Sequence, residues 1–232
     1  MHKSFELPLS SKNLFLVSRE EHSGYPGGRT VKIVSSPDLR DDVIKVDVSI
    51  MHQDVDWLAG VKTCLVSRKK EENGVGIFVL PYQSSNRQSW YLQIDILVTV
   101  PEVGWDPVRI KSFETDLPLY THALGSLTDF VEFDKLSLKS SNAAIQAQSL
   151  KVYDQCTIHT SNGPVKIESL VASNARVETS NGPITGHYDA TGSLGLYSSD
   201  GNIDATINLT SSDQKGELFM KTSNGYVLCC HL

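Results

Sequence analysis

The sequence predicts an all-β protein, a right- or left-handed β-solenoid or β-roll of ~19–20-residue repeats capped by a β-rich N-terminal region. One observation is a repeated phrase. KSSNA, HTSNGP, ETSNGP, YSSDGN and KTSNGY carry central residues Asn142, Asn162, Asn181, Asp200 and Asn224, spaced 20, 19, 19 and 24 apart. A second is that four residues before each centre stand Leu138, Ile158, Val177, Leu196 and Met220, and three after stand Ile145, Val165, Ile184, Ile203 and Val227. The third is alternation. Two residues further out lie Leu136, Cys156, Ala175, Leu194 and Leu218 on one side, and Ala147, Ile167, Gly186, Ala205 and Cys229 on the other, with polar residues between. Period-two alternation on both flanks of a turn is strand chemistry.

Taken in chain order, residues 13–18 and 30–35 read as strands around a Gly-rich turn at 23–28. That turn lacks the Lys-Ser/Thr ending of a phosphate-binding loop. Residues 43–51 place Ile44, Val46, Val48 and Ile50 on one face of a strand. A short helix over 55–61, carrying Trp57 and Leu58, precedes strands at 62–67, 75–80 and 90–100. Asn73-Gly74 and residues 83–87 supply turns. These elements make 1–100 a β-rich capping domain, 101–135 a junction with early irregular rungs, and 136–232 the solenoid repeats.

Within the repeats each unit is strand, corner, strand. The Ser-Asn-Gly corner suggests positive φ at the Asn and Gly, which these residues tolerate best. One such hairpin buries too little apolar surface to stand alone, whereas stacking makes the inward columns continuous. An open terminal rung exposes backbone groups, so the C-terminal edge is expected to be exposed or covered by a partner, with a homodimer as one form of cover.

The TSNG recurrence, with the phrase KSFETDLPLY just before it, resembles the "putative adhesin" family of β-helical repeat domains in its basidiomycete version. The resemblance covers about residues 130–232 and, more loosely, the leader. It implies surface adhesion and brings no catalytic residues with it.

Composition excludes some partners. The net charge is -6 and the densest basic run, Arg68-Lys69-Lys70, is followed at once by Glu71-Glu72, which argues against nucleic acid. No apolar stretch approaches the ~20 residues of a membrane span. The amino terminus shows no signal segment, so a cytoplasmic location is expected as written, or a secreted or cell-surface one if a leader was removed. Cys64, Cys156, Cys229 and Cys230 lack zinc-site spacing, and Cys156 and Cys229 fall on inward columns as small core residues. No cofactor is implied.

Three constellations bear on chemistry. His52, Asp54 and Asp56 alternate, as metal ligands on a strand could, yet they continue an apolar face and read better as a strand exit. Outward positions on successive units bring His159, Glu178 and Tyr197 into one row between Lys139 and Lys221, and Gln148, Glu168, His187 and Thr206 into another. A His beside a Glu can do acid–base work only in a pocket that tunes both, so His159, Glu178, Tyr197, His187 and Glu168 are expected as a ligand-binding surface. Glu178, Asp189, Asp200 and Asp204 are near in repeat space, but sugar-stacking aromatics are sparse. The expected function is a noncatalytic, adhesin-like module that presents a rigid polar wall to protein or glycan. The alternatives are an enzyme at the seam between leader and repeats, and an assembly module acting through the last rung.

Overall fold

A computed structural model of the chain describes residues 1–20, 27–52, 60–80, 91–210 and 216–231. The strands are β1 (His2–Pro8), β2 (Asn13–Glu20), β3 (Arg29–Ser36), β4 (Val43–His52), β5 (Val61–Ser67), β6 (Glu72–Val79), β7 (Leu92–Pro101) and β8 (Val108–Asp116). They continue as β9 (Thr121–Ser126), β10 (Val131–Lys139), β11 (Ile145–Thr160), β12 (Val165–Thr179), β13 (Ile184–Tyr197), β14 (Ile203–Leu209), β15 (Glu217–Lys221) and β16 (Val227–His231). The described residues contain no α-helix, and Gly60 is in a 3-10 turn. The helix expected over 55–61 and residues 53–56 of the histidine–aspartate constellation fall largely or wholly outside them, as do most of the Gly-rich turn and the turn at 83–87.

The strands form one sheet folded into two walls, a β-solenoid-like arrangement. The first wall runs β1-β4-β7-β3-β9, then through the leading halves of β11, β12 and β13 to β14 and β16. The second runs β5-β6-β2-β8-β10, then through the trailing halves of β11, β12 and β13 to β15. Pairing is parallel from β7 and β6 onward. Antiparallel β4 and β1 extend the first wall and antiparallel β5 the second, all at the N-terminal end. There Lys3 on β1 reaches across to the Thr63 carbonyl on β5 at 3.4 Å. The β2–β3 rung threads between β6–β7 and β8–β9, out of sequence order.

Between the walls like residues stack on like. Ile145, Val165, Ile184 and Ile203 are register partners and fully buried, and so are Leu136, Cys156, Ala175 and Leu194 but for slight exposure of Ala175. Each buried Val, Ile or Leu contributes roughly 1.5–3 kcal/mol, so these columns are the main source of stability. Burial pushes the Cys156 thiol up to about 12 and leaves it inert. Cys229 behaves differently from expectation. It continues the column below Ala205 but lies exposed, because the described residues place no rung beyond β16.

The corners overturn another expectation. Among the described residues positive φ occurs at Gly27, Glu71, Gly104 and Gly186, and not at the Asn or Gly of any repeat corner. Corner glycine serves close stacking instead. A Cβ at Gly163 would lie 2.0 Å from the Ala143 carbonyl oxygen, one at Gly182 2.0 Å from that of Gly163, and one at Gly201 1.8 Å from that of Gly182. The Ser or Thr that opens each corner completes the joint. Thr160 donates to the Ala143 carbonyl at 3.1 Å and accepts the Gly163 N–H at 3.3 Å, and Thr179, Ser198 and Thr222 repeat the pattern one rung further each time. Outside this hydroxyl row runs an amide row, in which Asn162 donates to Asn142, Asn181 to Asn162, and Asn224 to Asp200.

Candidate functional site

The outer face of the second wall carries the row that sequence reasoning singled out. Lys139, His159, Glu178, Tyr197 and Lys221 are consecutive register partners on β10, β11, β12, β13 and β15, so their side chains repeat at the ~4.8 Å strand spacing. Asp116 of β8 extends the row, 3.8 Å from Lys139 and 2.8 Å from Arg19.

The centre of this row is held by a residue that sequence reasoning passed over. Arg176, two positions before Glu178 on the same strand face, places Nη2 3.0 Å and Nε 3.2 Å from the Glu178 carboxylate. Its guanidinium lies over the Tyr197 ring, 4.3 Å from the centroid. Room for that ring comes from Gly195, the register partner of Arg176, where a Cβ would stand 2.5 Å from the ring. Phe219, next below Gly195, is exposed. A guanidinium sandwiched between a carboxylate and an aromatic face is pre-set in one orientation. A local signal existed: an Arg at spacing two from a Glu, with Gly in the following unit.

The other expected row does not form as a straight line. The register between β12 and β13 shifts after Ile167 and Gly186, so two residues of β12, Glu168 and Ser169, oppose His187 alone. The bulge is on β12, and Gly186 stands beside it on β13, with φ 150 and with the Ile167 carbonyl oxygen 1.9 Å from where its Cβ would be. Glu168 pairs with Lys166 at 3.4 Å, and His187 faces Asp189 at 3.4 Å. His187 and Glu168 are on the first wall, away from the row of His159, Glu178 and Tyr197 on the second. The carboxylates Glu178, Asp189, Asp200 and Asp204 likewise do not share a row, since Glu178 is on the second wall, Asp189 and Asp204 are on the first, and Asp200 is at a corner.

At the seam between leader and repeats lies a cavity of about 130 Å³, lined by Ser18, Glu20, Pro118 and Leu119. Glu20 is buried and paired with buried Arg29 at 3.2 Å, which supplies the balancing charge. Nearby Tyr120 is fully buried, and burial first, then the Glu20 charge, raises its phenol well above the ordinary value, so it stays a neutral O–H. The space is that of a few water molecules and far below a drug-sized ligand pocket. Among the described residues no three His, Cys, Asp or Glu side chains converge as metal ligands, and no helix is long and apolar enough to cross a membrane.

Comparison with known proteins places these walls in context. The family model described as Toastrack DUF4097 matches residues 61–229. Among solved structures, a "putative adhesin" from Bacteroides fragilis is 10% identical, covering 100% of this chain and 97% of that chain with a TM-score of 0.45. A second "putative adhesin", from Parabacteroides distasonis, is 15% identical over 99% of this chain and 97% of that chain, at a TM-score of 0.40. A "putative lipid binding protein" from the same species is 12% identical over 100% and 96%, at 0.39. No curated protein sequence matches the chain.

Proposed function

The chain belongs to the Toastrack DUF4097 family, and from that premise we propose a noncatalytic, adhesin-like binding module whose second wall meets a protein or glycan partner. The observation that carries the proposal is the Arg176–Glu178–Tyr197 cluster, a fixed guanidinium, carboxylate and ring on an open wall. Side chains already held in place lose little freedom on binding, so their contacts count nearly in full toward affinity. The flanking His159, Lys139 and Lys221 widen the polar face, and exposed Phe219 adds apolar area beside it. His187 and Glu168 belong to a secondary surface on the first wall. The TSNG corners supply the spacing of the wall.

The test is a screen of immobilised glycans and surface proteins with the intact chain, followed by the Arg176→Ser, Tyr197→Ser double variant. A hit that survives the double substitution unchanged removes the second wall from the reading. Retained folding is checked by thermal melting, because these side chains are partly exposed and contribute little to stability.

A second reading is favoured by the last rung. Phe219, Tyr226, Val227 and Leu228 are 43–59% exposed, and β15 and β16 each have a single strand neighbour among the described residues. A homodimer through this edge pairs strands and covers these side chains. Light scattering of the intact chain against Leu228→Lys reads it: a monomer in both cases ends this reading.

A further inference from the structure

The segment between β7 and β8 holds a surface that neither wall accounts for. Trp105 is fully exposed there, the largest apolar side chain set out in water among the described residues. Gly104, at φ 60 with open space around it, makes the turn that carries the indole outward. Beneath lies a cavity of about 300 Å³, bounded by Glu102, Trp105 and Asp106 on this segment and by Asp129 and Phe130 on the turn between β9 and β10. Phe130 is itself 38% exposed, so two aromatic groups border one hollow.

The charged groups of this hollow are all carboxylates. Glu102, Asp106 and Asp129 form no ion pair with any described residue. Arg109, the cation that follows on β8, is committed elsewhere: its Nε is 2.6 Å from Asp134 and its guanidinium lies over Tyr153, 4.6 Å from the centroid. Three uncompensated negative charges around exposed aromatic faces attract a cation and repel phosphate, nucleic acid and acidic glycan. A neutral sugar needs several donors as well as acceptors at its hydroxyls, and the Trp105 indole N–H is the one side-chain donor among these lining residues.

We propose that the hollow under Trp105 seats a Lys or Arg side chain of a basic peptide segment on a protein partner. The cation lies against the indole face while the carboxylates of Asp106, Asp129 and Glu102 take its N–H groups. This site is separate from the Arg176 wall, and either can exist without the other.

The test is fluorescence anisotropy of a labelled hexa-arginine peptide titrated with the full chain. Binding that weakens as salt is raised is expected, with Trp105→Ala and the Asp106→Asn, Asp129→Asn double variant each weakening it about tenfold. Trp105→Ala is expected to melt like the parent, since the indole is out in solvent, and the Arg176→Ser, Tyr197→Ser variant to bind the peptide as the parent does. Three results overturn the proposal: no peptide binding, binding indifferent to Trp105→Ala, which is general attraction to a chain of net charge -6, or displacement of the peptide by neutral maltohexaose, which makes the hollow a glycan site.

Discussion

The Thr179 hydroxyl donates to the Gly163 carbonyl at 3.2 Å and accepts the Gly182 N–H at 3.1 Å, so one side chain joins two successive corners. Thr179 is buried, and replacing it by Val keeps the shape while leaving both backbone groups unpaired. An unpaired buried polar group costs about 1–3 kcal/mol. Thr179→Val is therefore expected to lower unfolding free energy by about 2 kcal/mol or more, read by urea titration. Thr222→Val, at the partly exposed last corner, should cost clearly less because water replaces the lost partners. Equal losses at the two positions would contradict the joint.

Corner glycines make a sharper prediction. Gly182→Ala puts a Cβ into the Gly163 carbonyl, at 2.0 Å, where only backbone movement relieves the clash. Overpacking of this kind costs typically ~1–3 kcal/mol and here also breaks the hydroxyl joint. Gly104→Ala meets no atom and carries only the positive-φ cost of about 1–2 kcal/mol. Melting temperatures should rank parent, Gly104→Ala, Gly182→Ala, and a reversal of the two variants would restore the turn-conformation account of the corner.

The amide row suggests a gain. Asp200 accepts from Asn224 but has no N–H to offer the Asn181 side-chain oxygen, the single step at which the row from Asn142 to Asn224 lacks a bond. Asp200→Asn supplies that donor and keeps the acceptor. An exposed amide bond of this sort is worth about 0.5–1 kcal/mol, so a slightly higher urea midpoint with unchanged slope is expected. A lower midpoint would mean that the carboxylate charge matters more than the missing bond.

What was legible in the sequence follows from what repeats locally. The inward columns through Leu136 and Ile145 and the outward row through His159 could be read because side chains alternate with period two and the phrase recurs at a steady spacing. The bulge at Glu168 and Ser169 was less visible, since a skipped pairing on one side of the rung is compensated by another between Ala172 and Asn174 and leaves the spacing at 19. The threading of β2–β3 between later strands leaves no local trace, because both neighbours come from distant segments. Arg176 and Trp105 escaped for opposite reasons. The role of Arg176 depends on a ring in the next rung, and that of Trp105 on a turn that meets it only in three dimensions. The Ser or Thr of every corner was in plain view, but the hydrogen bond it donates to the preceding rung becomes apparent only once the corners stack.

His122 ties the fold to pH. Its ring is fully buried on β9, with Nδ1–H donated to the Tyr120 carbonyl at 2.9 Å and Nε2 accepting the Thr115 hydroxyl at 2.8 Å, an arrangement that suits the neutral ring. Burial, only partly offset by the Tyr120 bond, pushes its pKa down to about 4 from the ordinary 6.5. A depressed histidine pKa means that the unfolded chain takes up the proton first. The contribution to stability is thus complete above pH 6.5, shrinks as pH falls, and reaches its limit of loss below about 4. Between pH 7 and pH 5 the linkage amounts to about 2 kcal/mol. The measurement is the urea midpoint at both pH values for the parent and for His122→Gln, so that contributions from the rest of the chain cancel. The parent should lose about 2 kcal/mol more than the variant over that interval, even though the variant starts from lower stability. Parallel losses would show that His122 is protonated inside the fold as readily as outside it, and that the buried neutral ring is not what the Thr115 and Tyr120 contacts hold.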